Sequence, residues 1–216
     1  MGSVQSLTGF PQTNQADKMS GYYRLHAKIY DLTRWTFLFG RKWLLDWLPF
    51  GCASKVNIAE IGCGTGYNLK ALSDRFPKAR LVGIDISSEM LDIADKKTFN
   101  LDNHVILKQK NYGSESVYFL HTPDCILMSY CLTMVNPDWE KLILQTKQDL
   151  GKDGVIAVVD FHLSKKKWFQ RWMQFNHVQM EGQILPFLQT HFKTVKLERR
   201  RAYLGLWEYF LFIGKI

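Results

Sequence analysis

An apolar strand, a turn holding three glycines and a helix follow one another between residues 56 and 75, and this succession constrains the fold more than any other feature of the chain. Residues 56–61 read as the strand. Gly62-Cys63-Gly64-Thr65-Gly66 turns the chain, and residues 67–75 carry helical spacing. Glycines at such a turn let the backbone bend tightly and lie close to a ligand. The alternation continues with a strand at 81–86 and a helix capped by Ser87 that runs through Asp95. Strands at 105–108 and 125–130, a helix at 139–150 ended by Gly151, and a strand at 155–160 follow. Strands that alternate with helices predict a parallel sheet covered on both faces. Residues 194–201 and 206–213 lie too close for a helical crossover, so they are expected to pair as an antiparallel hairpin. The predicted fold is α/β and doubly wound, with a helical cap before it and a hairpin after it.

The length of 216 residues suits one domain. Residues 1–20 are polar and without periodicity and read as a mobile tail. Residues 21–50 are aromatic, with apolar positions at helical spacing that break near Gly40, and read as a helical cap. Residues 56–160 form the ligand-binding core and 161–216 a basic part. Apolar residues at 46% and charged residues at 22% exclude a disordered or fibrous chain. No run approaches the ~18 apolar residues of a membrane helix. Four cysteines without CxxC spacing read as reduced thiols of a cytoplasmic protein, with no metal site.

The loop is not the nicotinamide fingerprint, because its third glycine comes one residue early and position 67 is Tyr. There is no G-K-[ST], which excludes a P-loop. Glu60 just before the loop would oppose a pyrophosphate but suits a cationic ligand. Asp85 at the end of the second strand can accept from both hydroxyls of a ribose. The expected ligand is a nucleoside-type cofactor. Ile58-Ala59-Glu60-Ile61-Gly62-Cys63-Gly64-Thr65-Gly66, with Gly83-Ile84-Asp85-Ile86-Ser87 and Met90-Leu91, resembles the class I S-adenosylmethionine-dependent methyltransferases. The resemblance implies a seven-stranded Rossmann-like sheet with the last strand antiparallel, and S-adenosyl-L-methionine as cofactor. It implies that Glu60, Gly62, Cys63, Gly64 and Gly66 pack on the methionyl part and that Asp85 holds the ribose. Ile86 and Met90 would flank the adenine. Asn111 and Tyr112 stand where many members have an acidic residue near the adenine amine, and Ser129 and Tyr130 would face cofactor and acceptor.

Further segments narrow the acceptor. Tyr22-Tyr23-Arg24-Leu25-His26-Ala27-Lys28-Ile29-Tyr30-Asp31, Ser129-Tyr130-Cys131-Leu132-Thr133-Met134, Asp160-Phe161-His162 and Tyr203-Leu204-Gly205-Leu206-Trp207-Glu208 resemble the N-methyltransferase of bacterial betaine-lipid synthesis. That likeness implies three methyl transfers to the amine of diacylglyceryl-homoserine. It also implies work at the inner face of the membrane, by a self-associated enzyme or one joined to the enzyme that makes the homoserine lipid. A methyltransferase of a quinone or small amine, and a non-catalytic cofactor-binding partner, are the other readings.

Charge agrees with an anionic surface. The chain carries 28 basic and 20 acidic residues, and residues 161–216 hold ten of the basic ones against three acidic. Lys165-Lys166-Lys167-Trp168-Phe169-Gln170-Arg171-Trp172-Met173 interleaves cations with aromatics, as a peripheral membrane contact does. A solvated helix is the alternative. No RNA-recognition module adjoins it, so no nucleic acid partner is expected. Methylating an amine needs a neutral nucleophile and a proton acceptor. His26 and His162 are the candidate bases, each with a structural alternative. Tyr23, Tyr30 and Tyr130 are candidate aromatic faces for the cationic groups. Arg24, Arg34 and Arg41 are candidates to pair with a carboxylate. Glu208 is read either as a partner of an ammonium or as half of a cross-strand charge pair.

Overall fold

The structure is a computed structural model that describes residues 37–101, 104–115 and 117–216. The tail at 1–20 and most of the cap, with Tyr23, His26 and Tyr30, lie outside the described residues. The described elements run α1 (Arg41–Asp46), β1 (Asn57–Ile61), α2 (Tyr67–Arg75), β2 (Arg80–Asp85), α3 (Ser88–Thr98), β3 (Val105–Gln109) and β4 (Cys125–Ser129). Then come α4 (Trp139–Asp149), β5 (Val155–Leu163), α5 (Lys167–Phe175), α6 (Ile184–His191), β6 (Lys193–Ala202) and β7 (Trp207–Lys215). Single 3-10 turns lie at Leu132–Met134 and Tyr203–Gly205.

The strands form one seven-stranded sheet in the order β3-β2-β1-β4-β5-β7-β6. The first five are parallel, and β7 is antiparallel to both its neighbours. Alternation along each strand sorts the apolar side chains into two cores. Ile58, Leu81, Leu127, Val159 and Leu211 join Leu44 and Leu45 of α1, Leu69 and Leu72 of α2, and Phe169 and Met173 of α5. Ala59, Ile84, Met128, Val158 and Phe212 face the other way, onto Leu142 and Ile143 of α4 and Leu185 and Leu188 of α6. Strands covered on both faces carry the near-continuous apolar runs seen in β4 and β5.

Several boundaries differ from expectation. β5 extends to Leu163, because its last residues are carried along β7 past Asp160↔Phe210 and Phe161↔Tyr209. α3 continues to Thr98, and β2 stops at Asp85, leaving Ile86 beyond the strand. α6 was not anticipated. Pro186 sits in its first turn, where a missing N–H costs no helical hydrogen bond. The cap does break at Gly40, which has φ 83° before α1 begins.

The hairpin puts the apolar strand inside and the charged strand outside. β7 is buried over Tyr209–Gly214, whereas residues 193–196 of β6 are exposed. Arg199, Arg200 and Arg201 therefore lie on the edge strand, where charge guards against unwanted pairing. Arg201 Nε donates to Glu208 Oε1 at 3.1 Å across the hairpin register, which is the cross-strand pair. Arg200 lies 3.8 Å over the Trp43 ring and Lys196 4.0 Å over Trp47, fastening the edge strand to α1.

Gly83 shows how closely β2 is covered. A Cβ there would lie 2.6 Å from Leu69 Cδ1 and 2.9 Å from Leu107 Cδ2. Gly83→Val is expected to cost about 2 kcal/mol through overpacking. Urea unfolding should show a lowered midpoint with an unchanged slope.

Candidate active site

β1 and β4 are neighbours whose crossovers leave in opposite directions, so a crevice opens at their carboxyl ends. The cleft opens to solvent, spans about 860 Å³ with its open mouth, and is bounded by Gly62, Gly64, Asp85, Ile86, Met90, Asn111, Tyr112, Ser129 and Tyr130. Ile61, Ile84, Ser87, Lys110, Cys131, Met134, Val135 and Leu142 complete the lining. The last four belong to loop and helix positions whose approach to the cleft depends on tertiary packing, which sequence spacing does not report.

The loop is held by main-chain bonds. Gly62 N and Cys63 N both donate to Ile84 O, at 2.8 and 3.1 Å, and Gly66 N donates to Cys63 O at 3.0 Å. Gly62, Gly64 and Gly66 have φ of 68°, 51° and 72°, which L side chains rarely adopt. A Cβ on Gly62 would lie 2.7 Å from Cys131 Sγ, and one on Gly66 3.2 Å from Ala94 Cα. The Asp85 carboxylate joins two loops, accepting from Gly64 N at 2.8 Å and from Ser87 N at 3.0 Å. Ser87 Oγ accepts from Met90 N at 3.2 Å, the cap expected for α3.

Not every expected cofactor residue borders the cleft. Glu60 is buried behind the loop and accepts from Asn68 Nδ2 at 2.6 Å. Cys63 points back toward the Gly83 position, and burial pushes its thiol up, beyond ionisation in water. Gly66 packs on α3. These three shape the loop from behind. Tyr112 lines the cleft with its ring, while its hydroxyl donates to Asp149 Oδ2 at 2.7 Å. Ser129 Oγ is buried on the cleft floor and has no hydrogen-bond partner among the described residues.

Tyr130 has φ 54° and reaches across to donate its hydroxyl to Phe39 O at 2.7 Å. Burial, aided by Asp160 and Tyr209 and opposed by Arg41, holds this phenol well above its ordinary value. It therefore clamps the cap to the cleft and stays protonated. His162 does not line the cleft. Its ring is edge-on to Phe210 and faces a separate small crevice with Thr133, Gln179, Glu181 and Gly182. Its Nδ1 is buried and has no hydrogen-bond partner among the described residues. Burial, then the Arg199 charge, lowers its pKa, with Glu208 opposing.

Sequence reasoning gave no role of its own to Asp160, the acid within the apolar run of β5. It is fully buried. Its carboxylate accepts from Leu132 N at 2.8 Å, Thr133 N at 3.3 Å, Thr133 Oγ1 at 2.5 Å and Phe161 N at 2.8 Å. It thereby sets the 3-10 turn that places Met134 against the cleft. Its only sequence signal is a carboxylate within an otherwise apolar run.

Comparisons with known proteins agree with this geometry. The family described as "Methyltransferase domain" matches residues 33–202. The chain belongs to this family. This methyltransferase is 38% identical over 118 residues to a malonyl-[acyl-carrier protein] O-methyltransferase of Acetivibrio thermocellus, over 55% of this chain and 40% of that one. It is 31% identical over 119 residues to a trans-aconitate 2-methyltransferase of Variovorax paradoxus, over 53% and 41%. The chain thus spans half or less of the length of these curated relatives. A Haemonchus contortus phosphoethanolamine N-methyltransferase 2 shares the fold, with TM-score 0.73, 14% identity and coverage of 95% of this chain and 61% of that one. The cofactor is S-adenosylmethionine. The cleft fits it: glycines leave room for close approach, and Ser129 Oγ, buried on its floor, has no hydrogen-bond partner among the described residues. No cluster of His, Cys, Asp and Glu able to hold a metal occurs among the described residues.

Asp85→Ala removes the acceptor of the Gly64 and Ser87 N–H groups at the edge of the cleft. Titration calorimetry should show S-adenosylmethionine binding weakened by about 2 kcal/mol or more; unchanged affinity would remove Asp85 from the site. Asp160 gives a pH signature. Burial raises its pKa to about 6 against its hydrogen bonds, above the unfolded value of about 4. The folded state therefore holds the proton more tightly, so this contribution to stability is complete below about pH 4 and is lost as pH rises through about 6. Chemical denaturation of wild type and Asp160→Asn across that window should show wild type losing ground to the variant as pH rises.

Proposed function

We propose that this methyltransferase transfers methyl groups, three in succession, to the amine of a lipid headgroup, converting diacylglyceryl-homoserine to diacylglyceryl-trimethylhomoserine at the membrane surface. The observation that carries the lipid reading is an open, almost wholly apolar trough of about 760 Å³ bounded by Phe37, Trp168, Phe169, Trp172, Tyr203, Leu206 and Trp207. It adjoins the cleft through Phe39, whose ring lies 5.7 Å from that of Tyr203 and whose carbonyl accepts the Tyr130 hydroxyl. A headgroup in the cleft would leave its acyl chains beside this trough. Geometry of this kind suits an acceptor that is polar at one end and apolar at the other.

In this reading Gly62 and Gly64 give the cofactor close backbone contact and Asp85 accepts from its ribose. Ile86 and Met90 flank the adenine, Asn111 and Tyr112 close that end, and Ser129 Oγ offers a polar contact from the floor. The bound cofactor supplies an electrophilic methyl group on a sulfonium. The chain's own part is to hold the amine lone pair in line with that methyl, and positioning of this kind accounts for much of the rate. The Tyr130 ring offers an aromatic face to the cationic product. Tyr130 is bound to Phe39 and its phenol is raised, so it is a wall rather than a base. The described lining contains no histidine. His26, outside the described residues, is our candidate for taking the amine proton, with Tyr23 and Tyr30 beside it in sequence. His162 acts, on its geometry, behind the Thr133 turn rather than on the acceptor.

A second reading is methylation of a carboxylate, favoured by the 38% identity to the malonyl-[acyl-carrier protein] O-methyltransferase. One experiment separates them. The protein is incubated with S-adenosylmethionine carrying a deuterated methyl and, in parallel, with diacylglyceryl-homoserine in mixed micelles, malonyl-acyl-carrier protein and trans-aconitate. Mass spectrometry is expected to show one, two and three labelled methyls on the lipid. Label only on a carboxylate would replace the N-methyl reading with the second.

A further inference from the structure

We propose that the outer side of α5 and the turn between β6 and β7 form one docking surface for an anionic bilayer, entered by Trp168, Trp172, Phe175 and Leu204. This deepens the lipid reading and rests on it only for the identity of the acceptor.

α5 carries a wider apolar face than the core covers. Phe169 and Met173 are its buried stripe, and Lys167, Arg171 and Gln174 lie on the opposite side. Beside the stripe stand Trp168, Trp172 and Phe175, 64%, 46% and 79% exposed, at spacings of four and three that stack them along one face. Large apolar rings thus stand in solvent where a surface helix ordinarily has polar groups.

The hairpin turn shows the same inversion. Tyr203 and Leu204 have φ of 47° and 54°, the left-handed region where glycine or asparagine is favoured. Leu204 nevertheless occupies it with its side chain fully exposed. In water both the backbone and the exposed leucine are unfavourable. Within a headgroup layer the side chain recovers the transfer free energy of an apolar group.

The two segments are distant in sequence but fixed to each other. Ser164 Oγ donates to Leu206 O at 2.6 Å, and Gln170 Nε2 donates to Ser164 O at 2.6 Å. Phe169 stacks on Trp207 at 5.3 Å, and Tyr203 lies 4.9 Å from the same indole. They therefore present a single surface, and the trough lies between them.

Charge selects the occupant. Lys165, Lys166, Lys167 and Arg171 are exposed beside the aromatics. The acids Glu198 and Glu208 are held by Arg200 and Arg201. Indoles at the headgroup boundary flanked by lysines that form no ion pair among the described residues match an anionic bilayer, where each cation near the surface adds attraction.

The test uses the full chain without methyl donor. It is sedimented with vesicles of phosphatidylglycerol and phosphatidylcholine in equal amounts, and with phosphatidylcholine alone. We expect binding to the anionic vesicles that weakens steeply with salt. Replacing Lys165, Lys166 and Lys167 together by Gln should weaken it by about tenfold or more. Phe175→Ser and Leu204→Ser should each weaken it by about threefold or more. Both sites are exposed, so unchanged circular dichroism and thermal midpoints are expected of these two variants. Failure of the wild-type chain to sediment, or equal binding by all variants, overturns the proposal. A dimer in solution that Phe175→Ser dissociates overturns it in favour of a second copy on this face. Methyl transfer in micelles is scored separately. Transfer without vesicle binding rejects only the docking surface, and binding without transfer rejects only the acceptor.

Discussion

One device is used on both sides of the cleft: a carboxylate in the carboxyl-terminal half of a strand accepts backbone N–H groups from the loop of the neighbouring strand. Asp85, ending β2, takes Gly64 N from the loop after β1 and Ser87 N at the start of α3. Asp160, in β5, takes Leu132 N and Thr133 N from the turn after β4. β1 and β4 stand side by side between β2 and β5. The two loops that frame the cleft are thus each anchored from the flanking strand, by Asp85 of the cleft lining on one side and by the buried Asp160 on the other. Hydrogen bonds to a charged acceptor are stronger than neutral ones, and the loops they hold carry unusual backbone at Gly62, Gly64 and Tyr130.

The core architecture was legible because it rests on short-range signals. Apolar runs bounded by glycine, and helices started by Ser87 or stopped by Gly151, are local features that the two-sided sheet reinforces. The order β5-β7-β6 was less so. It follows from which of two adjacent strands is apolar throughout, and here β7 is buried while β6 carries the arginines. α6 escaped notice because a proline and a short apolar run do not distinguish a first helical turn from a loop.

The site was legible in its cofactor half and less so elsewhere. A glycine loop and a terminal Asp85 are chain-local, so their neighbourhood follows from the topology. Glu60, Cys63 and Gly66 belong to the same motif but face away from the cleft, since successive residues of a strand and tight turn cannot all point one way. His162 follows Phe161 in β5 and therefore turns to the opposite face, onto Phe210. Asp160 and the aromatic trough needed contacts between segments far apart in sequence, which no single-window reading contains.

The hydrogen bond from Tyr130 to Phe39 ends on a main-chain carbonyl. Any residue at position 39 presents the same oxygen, so the attachment of the cap tolerates changes in the cap's own side chains. The ring of Phe39 meets Tyr203, whereas the anchorage rests on its carbonyl and on Tyr130. Substitution at position 39 can therefore change the ring that meets Tyr203 without removing the oxygen that receives the Tyr130 hydroxyl.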